Sequence, residues 1–443
     1  MTLRLFLPFA LVLASGFGGA SSALLAQSSG GSPAGSESET LHELRERLFR
    51  AEERLEALEE GGAIEGSAYQ DAETAGDRRW LRFGDEGAGA SVGGYIDLEY
   101  RDVHGSSPSF VQHRFVPMID ASFHERLKFS AEIEFEYGAS DAPRGDGETK
   151  VEFAAMDWIF SDAFTLRAGA ILVPLGRFNI KHDSPLNDFT DRPLVTRSVI
   201  PTTLTDAGIG GHGSFSVGEE GVRRYEAYFV NGFEGLEVDS TTATGFASNF
   251  NTSSGIRGGR PSLKLDGSQG IATVGRVGWS PTLGVELGVS SHYGAYDADG
   301  ELDLLVSAFD FEVEGAAVAD WLQGFGINGE IARADIERDM VARASGVPDD
   351  LWGFVFELRH EFLPHAFHKA APSVFTEDSV ITAAVRLDHV ELGGERTNRV
   401  TFGLNFRPIE ETVFKIDYQL NYEDESHGRI DNDAFLFSIA TYF

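Results

Sequence analysis

From Trp80 onward the chain alternates apolar and polar residues with a period of two, the spacing that sends successive side chains to opposite faces of a β-strand. In 413–423, Phe414, Ile416, Tyr418, Leu420 and Tyr422 alternate with Lys415, Asp417, Gln419, Asn421 and Glu423. In 127–137, Leu127, Phe129, Ala131, Ile133, Phe135 and Tyr137 alternate with Lys128, Ser130, Glu132, Glu134 and Glu136. Similar segments fall near 92–102, 109–122, 150–160, 164–172, 207–217, 222–231, 270–279, 283–295, 302–311, 323–336, 351–362, 379–391, 399–407 and 433–443, which makes sixteen. Strands of a soluble sandwich average about 5 to 6 residues and hide their apolar faces in a shared core. These reach about 10 residues, the length a strand tilted near 45° needs to cross a bilayer. Short connections (123–126, 161–163, 218–221, 280–282, 408–411) alternate with longer ones (139–149, 173–206, 232–269, 337–350), as periplasmic turns and external loops do, and 363–378 is an irregular long segment on the short-turn side. The pattern predicts an all-β fold, a sixteen-stranded antiparallel transmembrane β-barrel. Lys415, Asp417 and Gln419 should then face the lumen, and Phe414, Ile416 and Tyr418 the lipid.

Ahead of the barrel the period changes to 3.5. Leu41, Leu44, Leu48, Ala51, Leu55 and Leu58 form an a/d seam that Gly61 and Gly62 stop. Arg47 and Arg54 occupy g and Glu52 and Glu59 the following e, a pairing suited to parallel chains; a solvated helix lying on its own domain is the alternative. Fewer than three full heptads is marginal, so barrel contacts are expected to drive assembly. At the N-terminus, Arg4, the apolar run Leu5 to Ala14 and small residues up to Ala23 or Ala26 read as a secretory signal peptide. The expected organisation is therefore 1–26 signal peptide, 27–40 flexible linker, 41–60 periplasmic coiled coil, 61–79 linker and 80–443 outer-membrane barrel.

Composition narrows the chemistry. With 70 acidic and 36 basic residues the formal net charge is −34, which would repel phosphate backbones, so nucleic acid is not an expected partner. The absence of cysteine removes disulfides, thiolate nucleophiles and Cys-type metal sites. No Gly-rich phosphate loop, GxSxG elbow or HExxH motif occurs, so neither an enzyme nor a cofactor is expected. His360, His365 and His368 with Glu361 lack strict ligand spacing, and no metal site is assigned to them. Asp297, Asp299, Glu301 and Asp303 read as a solvated charge run, with divalent cations bridging lipopolysaccharide as the alternative.

The last strand places Phe435, Phe437, Ile439, Thr441 and Phe443 on one face and ends on Phe, which resembles the terminal assembly signature of outer-membrane barrels. The run VPLGRFNIKHDSPLNDFTDRPLVTRSVIPTTLTDAGIGGHG, followed by YEAYFVNGFEG, resembles the phosphate-selective porin O and P family and its general-porin relatives. That resemblance spans 80–443. It implies a sixteen-stranded trimer whose third external loop folds into the lumen, some members carrying a periplasmic coiled coil. On it, the constriction falls to Arg177, Lys181, His182, Asp183, Asp188, Asp191, Arg192 and Arg197, and the pore wall to Glu132, Glu134, Glu136, Arg167, Lys415 and Asp417. The basic funnel of the phosphate-specific members is not matched, since this chain has only 6 Lys beside 30 Arg, so a mixed constriction is expected, and phosphate specificity is not carried over. A loop folded outward into solvent is the alternative for these charges.

The expected function is passive diffusion of small hydrophilic solutes or ions, anions such as phosphate among them, through a water-filled lumen narrowed by the third loop. Outer-membrane lipid and lipopolysaccharide would surround it. The competing expectations are a structural barrel that tethers the envelope through its coiled coil, and a barrel lipase with a Ser, a His and a carboxylate converging on the outer face.

Overall fold

The computed structural model describes residues 81–85, 88–138, 147–218, 221–263, 270–376, 378–423 and 431–443. The expected signal peptide, linkers and coiled coil lie outside them. Sixteen strands form the barrel: β2 (Ala88–Val103), β3 (Ser109–His124), β4 (Leu127–Glu136), β5 (Glu148–Ser161), β6 (Phe164–Leu172), β7 (Thr205–Val217), β8 (Gly221–Val230), β11 (Ala272–Ser280), β12 (Val285–Ala295), β13 (Asp303–Glu314), β14 (Phe325–Ile336), β15 (Asp350–Phe362), β16 (Val380–Leu392), β17 (Glu395–Ile409), β18 (Thr412–Glu423) and β19 (Ala434–Tyr442). Each pairs antiparallel with the next, β8 with β11 across the long excursion between them, and β19 closes on β2 from Ala434↔Val103 to Tyr442↔Tyr95. Closure leaves no strand edge to be satisfied in lipid. Among the described residues no helix is long and apolar enough to cross a membrane.

Each of the sixteen sequence segments became one strand. An additional short strand, β1 (Leu81–Asp85), pairs with Ala88–Val92 of β2, below the stretch that β19 occupies on the same edge. Phe443 lies beside this junction. Its amide donates to the Gly94 carbonyl oxygen at 2.9 Å, and its ring stacks on Phe115 at 5.8 Å. A small hairpin, β9 (Leu236–Val238) with β10 (Phe246–Ser248), sits in the excursion after β8.

The outward face has the profile of an outer-membrane barrel. A middle belt of exposed apolar side chains includes Ile209, Val289, Ile331, Leu404 and Ile416. Aromatic residues flank it at the short-turn end (Phe164, Phe215, Trp279) and at the loop end (Phe229, Tyr293, Tyr422, Phe435), as in the girdles of such barrels. In β18 the alternation is sharp: Lys415, Asp417 and Gln419 are at most 2% exposed, whereas Ile416 and Tyr418 are 45% and 48% exposed.

Connection lengths follow the expected parity with three departures. Between β13 and β14, on the short-turn side, the chain forms α3 (Gly315–Val318) and a 3-10 turn. The irregular segment after β15 forms α4 (His365–Ala370), and Phe375 beyond it packs on Phe406 of β17 with ring centroids 5.1 Å apart. On the loop side, β16 and β17 are joined by Gly393 and Gly394 alone, both with positive φ, as a two-residue hairpin demands.

The inward face is not polar throughout. Inward positions of β13 to β16 are apolar near the loop end (Leu304, Val306, Ala334, Ile336, Leu351, Val355, Val390, Leu392) and charged deeper in (Asp310, Glu330, Glu357, Arg386, Asp388). The apolar rows pack with Val195, Val199 and Ile200 of the β6–β7 connection and with Phe233, Phe250 and Ile256 of the β8–β11 connection, in one buried cluster. Two loops, not one, therefore enter the barrel, because this quadrant of the wall offers them apolar surface to bury.

Candidate functional site

The site is built by 173–204, which leaves β6 and returns to β7. Its base is clamped by Asn179, whose Nδ2 donates to the Val173 carbonyl oxygen at 2.7 Å while its Oδ1 accepts from Leu204 N at 2.8 Å. The turn into α1 (Arg177–Ile180) is fixed to the wall: Gly176 N donates to Ser290 Oγ at 2.9 Å, and Arg177 N and Phe178 N donate to Glu330 Oε2 at 2.6 and 3.1 Å. Gly176 has φ +70°, and a Cβ there would stand 2.7 Å from the Glu330 carboxylate oxygens, so only glycine allows this approach.

From there the segment crosses to the opposite wall. Lys415 Nζ donates to the Ser184 carbonyl oxygen at 2.6 Å, Arg407 Nη1 to that of Pro185 at 2.8 Å, and Asn405 Nδ2 to that of Asp188 at 2.8 Å. Thr190 N donates to Asp417 Oδ2 at 2.6 Å. Arg386 Nη1 donates to the Asp191 carbonyl oxygen at 2.7 Å, and Leu194 N to Asp388 Oδ1 at 2.9 Å, before α2 (Val195–Ser198) begins the return. These partners lie on β12, β14, β16, β17 and β18, at inward positions only. A segment bonded to inward positions on both sides of a barrel lies inside it.

The residues singled out from the sequence separate into three groups. Arg177 pairs with Glu312 at 2.6 Å, and Lys181 lies 3.3 Å from both Glu286 and Glu312, so these two cations are neutralised by the wall. Asp188 and Asp191 are likewise held, Asp191 by Arg101, by Gln419 Nε2 at 3.0 Å and by Arg399 at 3.7 Å. Burial would raise the Asp191 pKa, but Arg101, Arg197 and Arg399 outweigh it and hold this carboxyl below the usual range. His182 and Asp183 are buried beside Glu132.

Arg192 and Arg197 differ from the rest. Arg197 is exposed, and Arg192 turns toward the loop's own backbone, donating to the Thr202 carbonyl oxygen at 3.0 Å. The same oxygen accepts from Arg257 Nη1 at 3.1 Å, and Lys150 Nζ donates to the next carbonyl, Thr203, at 2.6 Å. Three cations thus meet at two adjacent carbonyls. Burial, then the neighbouring Arg260, Arg192 and Arg197, push the Arg257 pKa down to about 10, which still leaves it charged at neutral pH. Lys150, Arg257 and Arg260 were missed by the sequence reading. The last two belong to the β8–β11 connection, and nothing in their spacing announces that it meets 173–204.

Most of the wall residues named from the sequence also have partners. Arg114 of β3 sits 2.5 Å from Glu134 and 3.1 Å from Glu136, so only Glu132 of that row has no cation beside it among the described ion pairs. Arg167 is held by Asp157 in a bidentate pair at 2.7 and 2.6 Å. Lys415 and Asp417 are engaged by the loop backbone, as above. His360 stacks on Phe325 with ring centroids 4.1 Å apart, and Asp297 caps its own turn by accepting from Glu301 N and Leu302 N at 2.9 and 2.8 Å.

No protein-family model matches the chain. Its sequence is similar to an uncharacterized protein of Aquifex aeolicus (strain VF5), 28% identical over 374 residues that cover 80% of each chain. Among solved structures, it resembles the anion-selective porin from Comamonas acidovorans, with a TM-score of 0.51 and 9% identity over 80% of this chain and 100% of that one. It also resembles Salmonella typhi OmpF in complex with daunomycin, with a TM-score of 0.50 and 8% identity over 82% of this chain and 100% of that one. At these identities the likeness is one of fold.

Proposed function

We propose that this chain forms a passive diffusion channel of the outer membrane, a homotrimer in which each barrel is narrowed by 173–204 and passes small hydrophilic anions in preference to cations. The observation that carries the preference is the meeting of Arg192, Arg257 and Lys150 at the Thr202 and Thr203 carbonyl oxygens, with Arg260 and the exposed Arg197 nearby. Carboxylates stand near this cluster too, since Glu152 and Glu134 act on both Arg192 and Lys150, but Glu134 is shared with Arg114 and the cations Arg192, Arg257, Lys150 and Arg260 outnumber them. A protein of large negative charge can still favour anions, because at about 0.1 M salt the Debye length is roughly 10 Å and distant carboxylates are masked. The charges nearest the permeating ion then decide, as rings of fixed charge do in other pores.

The reading has a direct test in reversal potentials across a salt gradient, comparing the parent with an Arg192→Glu, Arg257→Glu double variant. A unit charge met at 4 Å in water is worth about 1 kcal/mol, so reversing two should lower the anion-over-cation permeability ratio by about tenfold or more. An unchanged reversal potential would remove these arginines from the permeation path.

A further inference from the structure

At the junction of the inserted loop and the wall, His182 and Asp183 of the loop meet Glu132 of β4. One ligand-capable atom from each of the three lies within 4.8 Å of the others, and all three residues are buried. The local chemistry of each points inward. His182 Nδ1 lies 3.0 Å from the Asn179 carbonyl oxygen, which can only accept, so Nδ1 carries a proton. Nε2 faces Glu152 Oε2 at 3.3 Å and Asp183 Oδ1 at 3.9 Å; with a second proton it pairs with these carboxylates, and without one it presents a lone pair to an ion. Asp183 is oriented by Tyr442, whose hydroxyl donates to its Oδ2 at 2.8 Å.

Glu132 supplies an independent observation. It is 1% exposed, and its Oε1 is buried without a hydrogen-bond partner. The nearby cation Arg114 is committed to Glu134 and Glu136, and Lys150 to the Thr203 carbonyl oxygen. An ionised carboxylate is costly in such a place, several kcal/mol when unpaired, so Glu132 either keeps its proton or meets a cation that takes the proton's place. An imidazole whose far nitrogen is fixed by a carbonyl, facing buried carboxylates, is the arrangement in which histidine binds metal. His182 Nε2 and Asp183 Oδ1 are 3.9 Å apart and all three donors lie within 4.8 Å of one another, so an ion with bonds of about 2.0–2.2 Å would draw them slightly together.

We infer that Glu132, His182 and Asp183 bind one divalent first-row cation, with Zn2+ the ion that fits one imidazole and two carboxylates. Calcium, which takes six or more oxygens, fits this donor set poorly. The bound ion cross-links the inserted loop to β4 and supplies the positive charge that Glu132 lacks. The site needs no assumption about what permeates the barrel.

The test uses full-length folded protein without an affinity tag, stripped with a chelator and titrated with Zn2+ or Ca2+ by calorimetry. The expected result is one Zn2+ per chain, bound more tightly than Ca2+, with affinity reduced at least tenfold in His182→Gln and in Glu132→Gln. X-ray absorption of the Zn2+-loaded parent should show a nitrogen and oxygen shell that includes an imidazole, a readout that holds even where a variant fails to fold. Zn2+ affinity unchanged in both variants, preference for Ca2+, or a shell without imidazole overturns the assignment.

Discussion

Replacing Arg386 with methionine is expected to cost about 3 to 5 kcal/mol of stability and to free the middle of the inserted segment from the wall. Arg386 is 1% exposed. Its Nε donates to Asp388 Oδ2 at 2.8 Å, its Nη1 donates to the Asp191 carbonyl oxygen at 2.7 Å and stands 3.8 Å from Glu357, and its guanidinium covers the Phe189 ring at 4.8 Å. Methionine restores much of the volume and none of the charge, so the Asp388 and Glu357 carboxylates stay buried without their cation. Most of the cost is that uncompensated charge and not the lost contact. Lysine should not rescue it, because a point charge cannot serve the carboxylate, the carbonyl and the ring together. The measurement is denaturant unfolding of the refolded barrel, with single-channel current noise as a second readout, which should rise as 188–194 loosens. A loss below about 1 kcal/mol, with unaltered noise, would mean that Arg386 does not hold the loop.

On the outer face the largest effect is expected at Ile416. Arginine there should destabilise the barrel by about 2 to 4 kcal/mol, and arginine at Tyr422 by about 0 to 1 kcal/mol, because the cost of a cation facing lipid falls with distance from the bilayer midplane. Ile416 pairs with Leu404 and Phe437 in the middle of its strand, while Tyr422 lies in the loop-end girdle. Gln419, an inward position by its sequence pattern, is not a neutral comparison for Ile416. It is 2% exposed and donates to Asp191, so a change there disturbs the loop instead of the lipid contact. Equal losses at Ile416 and Tyr422 would refute the assigned belt.

Most of the barrel was legible because strand period and membrane thickness leave few alternatives: a run such as 413–423 has one face that lipid accepts and one that it does not. The inner apolar cluster was not. Leu304, Leu305 and Val306 are apolar on both faces, and this break in alternation reads simply as a strong strand until a second apolar partner is known. The candidate site was half legible. The sequence marks 173–204 as long and charged, but whether each charge is neutralised depends on the inward register of distant strands, which puts Glu286 and Glu312 beside Lys181, while Arg192 makes no ion pair among the described ones. Parity could have flagged the anchors, since Arg386, Asp388, Arg399 and Arg407 all occupy inward positions of their strands. β1 carried too short a pattern to be read.

The central claim is that ions cross this barrel passively past the inserted segment. Single-channel recording of the purified, folded protein in a planar bilayer tests it most directly. The account predicts discrete current steps that are linear in voltage, scale with salt concentration and reverse on the anion side of zero in a salt gradient. A folded barrel that inserts yet carries no current at any salt concentration would contradict it and make the inserted loops a plug.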